Sequence, residues 1–269
     1  MGEIHRIESL NNPHLKKLKR LQKVDRHQRD FLIEGTHLVS EAVATQWPIQ
    51  SVFYTDQWAD RNRKLIGQIP ASTEQYTVDA QWLKHAVTTQ QPDGIVAIGY
   101  LKSDFGPEGL SKLTSDKSHW SLTIATDGVQ DPGNAGTLLR SVVALGGNRL
   151  FLSPDSVSPI HPKFLRSTAG QWFRSPPGVI EIADLANHAK QMGVQVVVAD
   201  MGGESIDKLD LLQPTLFVLG TEGRGVSKKT RELADHVCGI SMANGVESLN
   251  VAIAGTILLY EASRQRRRT

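Results

Sequence analysis

Cysteine is almost absent from the sequence, because Cys238 is the only one in 269 residues. A single thiol cannot build an internal disulfide framework or a cysteine-rich zinc site, and this scarcity is typical of a reducing compartment. The nine histidines include no H-E-x-x-H pair, and His236 beside Cys238 is more typical of a strand end than of two metal ligands. We therefore expect no metal ion and a cytoplasmic location.

Long hydrophobic runs are also missing. The longest, Val251–Tyr260, is far shorter than the ~20 residues that span a bilayer, and it contains Gly255 and Thr256. Residues Met1–Leu10 alternate charged and isolated apolar side chains, so they lack the apolar region of a signal peptide. We expect a globular protein that is neither secreted nor inserted in a membrane.

A large net charge is absent as well, since the formal value is +2 and the isoelectric point is near 8.6. Overall charge is therefore a weak indication of nucleic-acid binding. The distribution is more informative, because basic residues concentrate between His14 and Arg29 and again at the C-terminus. The candidate phosphate contacts are Lys16, Lys17, Lys19, Arg20, Lys23, Arg26 and Arg29, followed by Arg264, Arg266, Arg267 and Arg268.

The first basic cluster lies on a predicted helix. Asn12 before Pro13 is a typical helix start, and apolar residues then recur at near-helical spacing at Leu15, Leu18, Leu21 and Val24. One face should pack while the other is basic. From this segment alone, a solvated surface helix and an RNA-binding helix are equally good interpretations.

Apolar runs with β-branched residues predict a small α/β domain after this helix. They are Phe31–Ile33, Ile49–Tyr54 and Ile95–Tyr100, separated by helical stretches such as His37–Gln46. From Leu101 to Ser118 the composition shifts to Ser, Asp, Lys, Gly and Pro, which is typical of a linker. We predict an N-terminal domain over residues 1–105, a linker over 106–118 and a second domain over 119–269.

The second domain repeats the alternation of apolar runs and helical or loop stretches, which indicates an α/β domain with a mostly parallel sheet. Such sheets bind ligands in the loops at the carboxyl ends of their strands. The predicted strands are Ser121–Thr126, Leu150–Ser153, Val194–Ala199, Thr215–Leu219 and Val237–Ile240.

Common nucleotide and hydrolase motifs fail in this domain. No G-x-G-x-x-G follows a strand, and Gly225 precedes Val226 where a phosphate-binding P-loop requires lysine. Ser205 lacks the second glycine of a nucleophile elbow. A standard dinucleotide site, nucleotide hydrolysis and serine hydrolysis are therefore unsupported.

Three segments at predicted strand ends remain. Asp127–Arg140 passes from a turn into a helix, Leu219–Gly225 places three glycines around Glu222, and Ile240–Ala254 is a loop that leads into the apolar C-terminal helix. Taken singly, each also has a purely structural interpretation. Asn134 suits a helix N-cap with Arg140 as a surface charge, Glu222 suits a solvated loop, and Ser248 or Asn250 suits a cap.

Taken together and in this order, the segments resemble the three signature motifs of the SpoU (TrmH-like) branch of the SPOUT RNA methyltransferases. Lys163–Gln171 (KFLRSTAGQ) is similar to an intermediate motif of that family. The N-terminal half, including Asp30–Gly35 (DFLIEG), resembles the substrate-binding domain of many members. The resemblance implies S-adenosylmethionine as cofactor, a deep C-terminal trefoil knot, and a homodimer that completes the active site.

The resemblance also implies roles for individual residues, with Arg140 as the catalytic arginine. Ser241 departs from the family pattern, in which proline is common at that position. The implied catalytic set is Arg140, Asn134, Glu222, Ser248 and Asn250, the implied cofactor set is Leu219, Gly220, Ile240, Met242 and Leu249, and the RNA-binding set predicted from charge is Lys16, Lys17, Lys19, Arg20 and Lys23.

Methyl transfer to a ribose 2′-hydroxyl requires alignment of two reactants and loss of the hydroxyl proton. Arg140 as a general base would need its pKa lowered from above ~12 to neutrality, roughly 5 units or about 7 kcal/mol. The hypothesis is therefore that Arg140 binds phosphate and lowers the pKa of the hydroxyl electrostatically.

The implied function is 2′-O-methylation of a structured RNA. Within the family that the chain resembles, a separate N-terminal domain favours ribosomal RNA over transfer RNA. The alternatives are a transfer RNA 2′-O-methyltransferase and a non-catalytic RNA-binding protein that retains the fold, while a small-molecule enzyme would leave the basic N-terminal helix without a partner.

Overall fold

The computed structural model describes residues 4–25, 28–102, 120–221, 223, 225–244, 246 and 248–267. The strands are β1 (Ile4–Arg6), β2 (Asp30–Glu34), β3 (Ile49–Tyr54), β4 (Glu74–Thr77), β5 (Ile95–Tyr100), β6 (Leu122–Thr126), β7 (Arg149–Leu152), β8 (Gly178–Val179), β9 (Gln195–Ser205), β10 (Thr215–Leu219) and β11 (His236–Gly239). The helices are α1 (Pro13–Leu21), α2 (Thr36–Ala44), α3 (Asp56–Arg61), α4 (Arg63–Ile66), α5 (Ala80–Ala86), α6 (Pro132–Ala144), α7 (Pro162–Ser167), α8 (Ile182–Gln191), α9 (Lys228–Arg231) and α10 (Val251–Arg266).

The chain forms two structural units. The N-terminal unit contains the described residues up to Lys102 together with Ile160–Arg174, and the C-terminal unit contains the rest. Sequence analysis treated 119–269 as one domain, whereas the structure groups Ile160–Arg174 with the N-terminal residues. The linker predicted over 106–118 lies outside the described residues.

The N-terminal unit is built on a mixed five-stranded sheet in the order β1-β4-β3-β5-β2. Helix α1 begins where the sequence predicted, because the Asn12 side chain accepts a hydrogen bond from the His14 backbone N–H at the N-terminus of the helix. Leu15, Leu18 and Leu21 are buried against this sheet, and the helix ends before Val24. The polar face of α1 therefore remains outside.

Ile160–Arg174 packs into the N-terminal unit through both apolar and charged groups. Trp172 is fully buried, with ring centroids 5.2 Å from Phe31 and 4.8 Å from Trp47. Arg166 donates through Nη1 to Glu34 Oε2 at 2.6 Å, and Glu34 is 5% exposed. Part of the KFLRSTAGQ segment is thus a structural component of the N-terminal unit.

The C-terminal unit confirms the expected parallel sheet. Six strands lie in the order β11-β9-β10-β6-β7-β8, and all their pairings are parallel. From β6 the chain adds β7 and β8 on one side and then returns to place β9, β10 and β11 on the other. Ligands bind at the carboxyl ends of such sheets, near the point where the strand order reverses.

Helices α6 and α10 cover one part of this sheet and contact each other. A Cβ on Gly255 of α10 would lie 2.4 Å from Leu138 Cδ2 and 2.8 Å from Leu219 Cδ1. Only glycine therefore permits this approach without rearrangement. The side-chain hydroxyls of Ser141 and Thr256 lie 2.7 Å apart and join the two helices.

The caps of these helices correct one prediction and support another. Asp131, not Asn134, is the N-cap of α6, because its carboxylate accepts the Asn134 backbone N–H at 2.9 Å. Pro132 occupies the first helical position, where no N–H is needed, so Asn134 lies within the first turn. Asn250 caps α10 by accepting from the backbone N–H groups of Ala252 and Ile253.

Two further observations limit the classes of site. In the ranges described above, no helix combines the length and the hydropathy needed to cross a bilayer. The same ranges contain no group of three or more His, Cys, Asp or Glu side chains arranged to hold a metal ion.

Candidate cofactor and substrate site

A cavity of about 810 Å³ lies at the carboxyl ends of β9, β10 and β11. The loops after β10 and β11 form two of its walls, and β9 and the start of α10 contribute the others. All five predicted cofactor residues and one predicted catalytic residue line it: Leu219, Gly220, Ile240, Met242, Leu249 and Ser248.

Gly220 is held against its own loop. Thr221 and Gly225 exchange two backbone hydrogen bonds, of 3.0 and 2.9 Å, which fold the loop back on itself. A Cβ on Gly220 would lie 2.0 Å from the carbonyl carbon of Gly225, so any side chain would break this fold. Glycine at this position therefore keeps the loop closed and leaves its backbone open to a ligand.

A second cavity, of about 510 Å³, adjoins the first. The two share Thr221, Gly225 and Val251 in their walls. Asn134 lines the second cavity, and its Oδ1 accepts from Asn250 Nδ2 at 3.0 Å. The first and third signature segments therefore meet beside the larger cavity, as two neighbouring subsites would require.

Asp127 fixes one wall of the second cavity. Its Oδ2 accepts from the Thr230 hydroxyl at 2.7 Å and from the Ser227 backbone N–H at 3.2 Å. These bonds attach the start of the first signature segment to the residues that follow the Gly220–Gly225 loop. The positions of the two segments are therefore coupled.

Arg140, predicted as the catalytic arginine, lies outside both cavities of the single chain. It is exposed on α6, lines neither cavity, and makes no hydrogen bond or ion pair to another residue of the described ranges. Glu222, predicted to support it, lies outside the described residues. Among the described residues of one chain, the two cavities are therefore lined by the predicted cofactor residues and Asn134 but by no arginine.

Cys238 lines the larger cavity, but its thiol is unreactive. Its side chain is 1% exposed, and burial raises the pKa of the thiol to about 12. The thiolate is the nucleophilic form of cysteine, so this residue stays protonated and inert at neutral pH.

The predicted RNA-binding residues differ in their surroundings. The ammonium of Lys17 lies 2.7 Å from Asp30 Oδ2 and donates to Gln50 Oε1 at 3.1 Å. The other four are exposed and make no ion pair within the described ranges: Lys16, Lys19, Arg20 and Lys23. Lys17 is therefore committed to the fold, and the remaining residues are available to a partner.

The C-terminal basic cluster is largely structural. Arg266 donates to the carbonyl oxygens of Leu211 and Gln213, and burial lowers the pKa of its guanidinium. Arg264 pairs with Glu261 on the same helix. Arg268 and Arg26 of the first cluster lie outside the described residues. Arg264 and Arg266 are thus engaged within the protein, whereas Arg267 is exposed and lies over the Tyr260 ring.

One wall of the larger cavity, formed by Ala199–Gly203 on β9, is not predicted from the sequence. This wall includes Asp200, the one charged side chain among the described residues that line the larger cavity. A signal was present, because these residues follow the predicted strand Val194–Ala199 directly, and strand ends were where ligand contacts were expected.

Comparison with known proteins bears on this geometry. The model of the SpoU rRNA methylase family matches residues 121–260, which is more than half of the chain, and the model of the MRM3-like substrate-binding domain matches residues 12–97. These ranges correspond to the larger part of the C-terminal unit and to most of the N-terminal unit.

Curated relatives match along nearly the whole chain. An uncharacterized tRNA/rRNA methyltransferase of Synechocystis is 33% identical, and the alignment covers 98% of this chain and 95% of the relative. A 23S rRNA (uridine(2479)-2′-O)-methyltransferase of Streptomyces viridochromogenes is 30% identical, over 88% of this chain and 83% of the relative.

Solved structures agree in fold and cofactor. The S-adenosylmethionine complex of the SpoU methyltransferase AviRb from Streptomyces viridochromogenes has a TM-score of 0.82 at 27% identity, covering 96% of this chain and 99% of that one. An S-adenosylmethionine-bound rRNA methyltransferase from Sinorhizobium meliloti has a TM-score of 0.85 at 26% identity, covering 98% of each chain.

The parallel α/β sheet of this chain, with a cavity at its strand ends, thus has the fold of solved SpoU methyltransferases. The chain belongs to the SpoU family of RNA methyltransferases. It is an RNA methyltransferase, and its methyl donor is S-adenosylmethionine.

The larger cavity fits this cofactor. Its volume of about 810 Å³ lies within the range of roughly 300–1,000 Å³ that is typical of small-molecule sites. Leu219, Ile240 and Leu249 line it with apolar side chains that could contact a purine ring, and Gly220 and Gly239 place no side chain between their backbone and the cavity.

Proposed function

We propose that the protein transfers a methyl group from S-adenosylmethionine to a ribose 2′-hydroxyl of ribosomal RNA. The observation that carries the proposal is the convergence of the predicted cofactor residues on one cavity, next to a second cavity lined by Asn134. The N-terminal unit would hold the RNA, and the cytoplasm would be the site of action. The 23S rRNA 2′-O-methyltransferase relative supports this choice of substrate.

Each cavity has its own task in this proposal. Bound S-adenosylmethionine supplies an electrophilic methyl group on a cationic sulfur. Leu219, Gly220, Ile240, Met242 and Leu249 hold the cofactor, and Ser248 lies at the edge of its cavity. Asn134 orients the acceptor nucleotide, while Asn250 fixes the Asn134 amide through the 3.0 Å hydrogen bond and thereby aligns the two subsites.

Arg140 would act on the acceptor. As the 2′-oxygen forms a bond to the methyl carbon, the carbon–sulfur bond breaks and the hydroxyl proton leaves to solvent. A guanidinium that binds the neighbouring phosphate stabilises negative charge developing on that oxygen and needs no deprotonation itself. Arg140 is exposed and has no partner among the described residues, which suits it to this task.

A homodimer would bring Arg140 to a site. Helices α6 and α10 present adjoining outer faces, because Ser141 and Thr256 join them. On α10, Ile253 and Tyr260 are 51% and 52% exposed, so this face offers apolar surface for a second copy. We infer that α6 and α10 form the dimer interface and that Arg140 serves the partner's cavities. The deep trefoil knot stays a prediction from family membership.

The exposed cations of α1 support RNA binding by the N-terminal unit. Lys16, Lys19 and Arg20 project from α1, whose opposite face is buried, and Lys23 lies two residues beyond the end of the helix. Such a row of free cations can contact successive phosphates without disturbing the fold.

Methylation assays test the proposal directly. Purified protein and labelled S-adenosylmethionine should methylate ribosomal RNA and yield nuclease-resistant dinucleotides that carry 2′-O-methyl groups. Transfer of the label to transfer RNA but not to ribosomal RNA would indicate the alternative substrate. Cofactor binding without transfer to either RNA would favour a non-catalytic RNA-binding protein, and a monomer in sedimentation would contradict the dimer.

Arg140 variants test the mechanism. Arg140→Ala should lower the single-turnover rate roughly 10²–10³-fold at saturating RNA and cofactor, as expected for loss of a charge-stabilising donor. Arg140→Lys keeps the charge without the bidentate fork and should retain clearly more activity than alanine. Equal inactivity of the two variants, with RNA binding intact, would contradict the electrostatic role. A lysine rate that climbs steeply with pH where wild type stays flat would indicate a base.

A further inference from the structure

Asp200 occupies an unusual position in the larger cavity. The other described lining residues are apolar, glycine or small neutral polar residues, so the Asp200 carboxylate is the only formal charge that they contribute. It directly follows the partly buried Ala199 on β9, and its side chain is 23% exposed. A partly buried carboxylate costs desolvation free energy unless its oxygens are hydrogen-bonded.

One of its oxygens has a partner and the other does not. Arg231 on α9 donates through Nη1 to Asp200 Oδ2. Oδ1 makes no hydrogen bond to another residue of the described ranges. This oxygen lies on the side of the Gly220–Gly225 loop, since a Cβ on Gly225 would be 3.7 Å from it. The carboxylate is thus anchored at one oxygen and open at the other.

The anchor determines which ligand group suits Oδ1. A cationic group at Oδ1 would lie close to the Arg231 guanidinium, and the repulsion would offset much of the attraction to the carboxylate. A neutral hydroxyl donor does not meet that repulsion and gains a charge-assisted hydrogen bond. S-adenosylmethionine carries its cations on the methionine part and two neutral hydroxyls on its ribose.

We propose that Asp200 Oδ1 accepts a hydrogen bond from a ribose hydroxyl of the cofactor, with Arg231 as the positioning residue for the carboxylate. The inference rests on the proposed function, because it takes the larger cavity as the cofactor site. It adds a side-chain contact on β9 to the contacts from the loops after β10 and β11. Asp200 thereby distinguishes ribose from deoxyribose in the cofactor.

Calorimetry on the full-length protein tests this assignment with four ligands: S-adenosylmethionine, S-adenosylhomocysteine, and the 2′-deoxy and 3′-deoxy forms of the latter. Asp200→Ala should weaken the two ribose ligands equally, by roughly ten- to hundredfold, as for loss of a hydrogen bond to a charged group. One of the two deoxy ligands should bind the wild-type protein more weakly than S-adenosylhomocysteine does, by a similar factor. The affinity of that ligand should not fall further in Asp200→Ala. Asp200→Asn keeps an acceptor oxygen and should lose less.

Other outcomes would contradict particular parts of the proposal. A larger loss for S-adenosylmethionine than for S-adenosylhomocysteine would mean that Asp200 acts on the sulfonium charge. Equal losses for all four ligands would make it a structural partner of Arg231 alone. Unchanged binding in a folded Asp200→Asn protein would remove its role, whereas no binding by wild type would contradict the cofactor cavity itself. Asp184→Ala, which removes an exposed acid outside the cavity, is the control for net charge.

Discussion

Glu34 in the N-terminal unit and Asp200 in the C-terminal unit are both partly or fully buried carboxylates paired with an arginine, yet their surroundings differ. Glu34 accepts four hydrogen bonds, from the Thr88 backbone and hydroxyl, from the Thr89 hydroxyl and from Arg166, at 2.6 to 2.9 Å. A carboxylate has about four acceptor sites, so its capacity is used up. Asp200 has one such bond within the described ranges and retains an open oxygen.

The number of hydrogen bonds that a charged side chain makes within the protein distinguishes charges that stabilise the fold from charges that can bind a ligand. Arg166 and Lys17 lie in segments that sequence analysis associated with function, but each is bound to a carboxylate of its own unit. Arg140 lies in a similar segment and has no such partner in the described ranges. Unused hydrogen-bonding capacity is therefore the better guide to function than position in a motif.

The largest expected effect concerns the cofactor cavity, which Asp200 lines in the C-terminal unit. Gly220→Ala should weaken S-adenosylmethionine binding by more than about 100-fold, or roughly 3 kcal/mol, because its Cβ would overlap the Gly225 backbone and open the loop. Gly223→Ala is the matched control, since a Cβ there meets nothing within 4 Å. Calorimetry compares the two. Equal binding by both variants would show that the Gly220–Gly225 loop does not shape the cofactor site.

Trp172 tests the internal packing of the N-terminal unit, the unit in which Glu34 is fully hydrogen-bonded. Trp172→Ala should destabilise the N-terminal unit by about 3–5 kcal/mol, the usual cost of truncating a fully buried large aromatic residue. Cofactor affinity should stay unchanged under conditions where the protein is folded, since the described cavity residues all belong to the C-terminal unit. Denaturation followed by circular dichroism and calorimetry measure the two effects.

The matched variant is Trp120→Ala, which removes a buried tryptophan from the core of the C-terminal unit. It should lower stability and cofactor affinity together. If Trp172→Ala instead abolished cofactor binding in folded protein, Ile160–Arg174 would have to be assigned to the cofactor site.

Removal of residues 1–102 should also expose Trp172 and favour aggregation, so truncation at the predicted linker is a poor way to isolate the catalytic part.

The sequence predicts the strands that are rich in β-branched residues, and Ile49–Tyr54, Ile95–Tyr100 and Thr215–Leu219 agree with the structure at both ends. The sequence does not predict β1 and β4, because these strands are short and polar and depend on pairing, β1 with β4 and β4 also with β3. Only tertiary contacts reveal their structure.

The site was predicted to a similar degree. Gly220 and Ile240 were found because they belong to recognisable segments, whereas Asp200 follows an ordinary strand and has no motif of its own. The placement of Arg166 depends on Glu34, 132 residues away, which no local pattern encodes. Asp131 and Asn134 are both good cap residues, and only the backbone geometry selects Asp131.

The smallest expected effect separates two lysines of α1. Lys19 is exposed and free within the described ranges, whereas the Lys17 ammonium is bound to Asp30 and Gln50. If α1 contacts RNA phosphates, Lys19→Gln should reduce the slope of log affinity against log salt by roughly 0.7–0.9, as for loss of one phosphate contact. Lys17→Gln should change the slope much less and cost at most about 1 kcal/mol of stability, since its ion pair is partly solvated. Filter binding of ribosomal RNA between low and moderate salt measures both slopes under identical conditions. Equal slopes for wild type and Lys19→Gln would remove this lysine from the interface, and a larger change for Lys17→Gln than for Lys19→Gln would show that an internal ion pair opens when RNA binds.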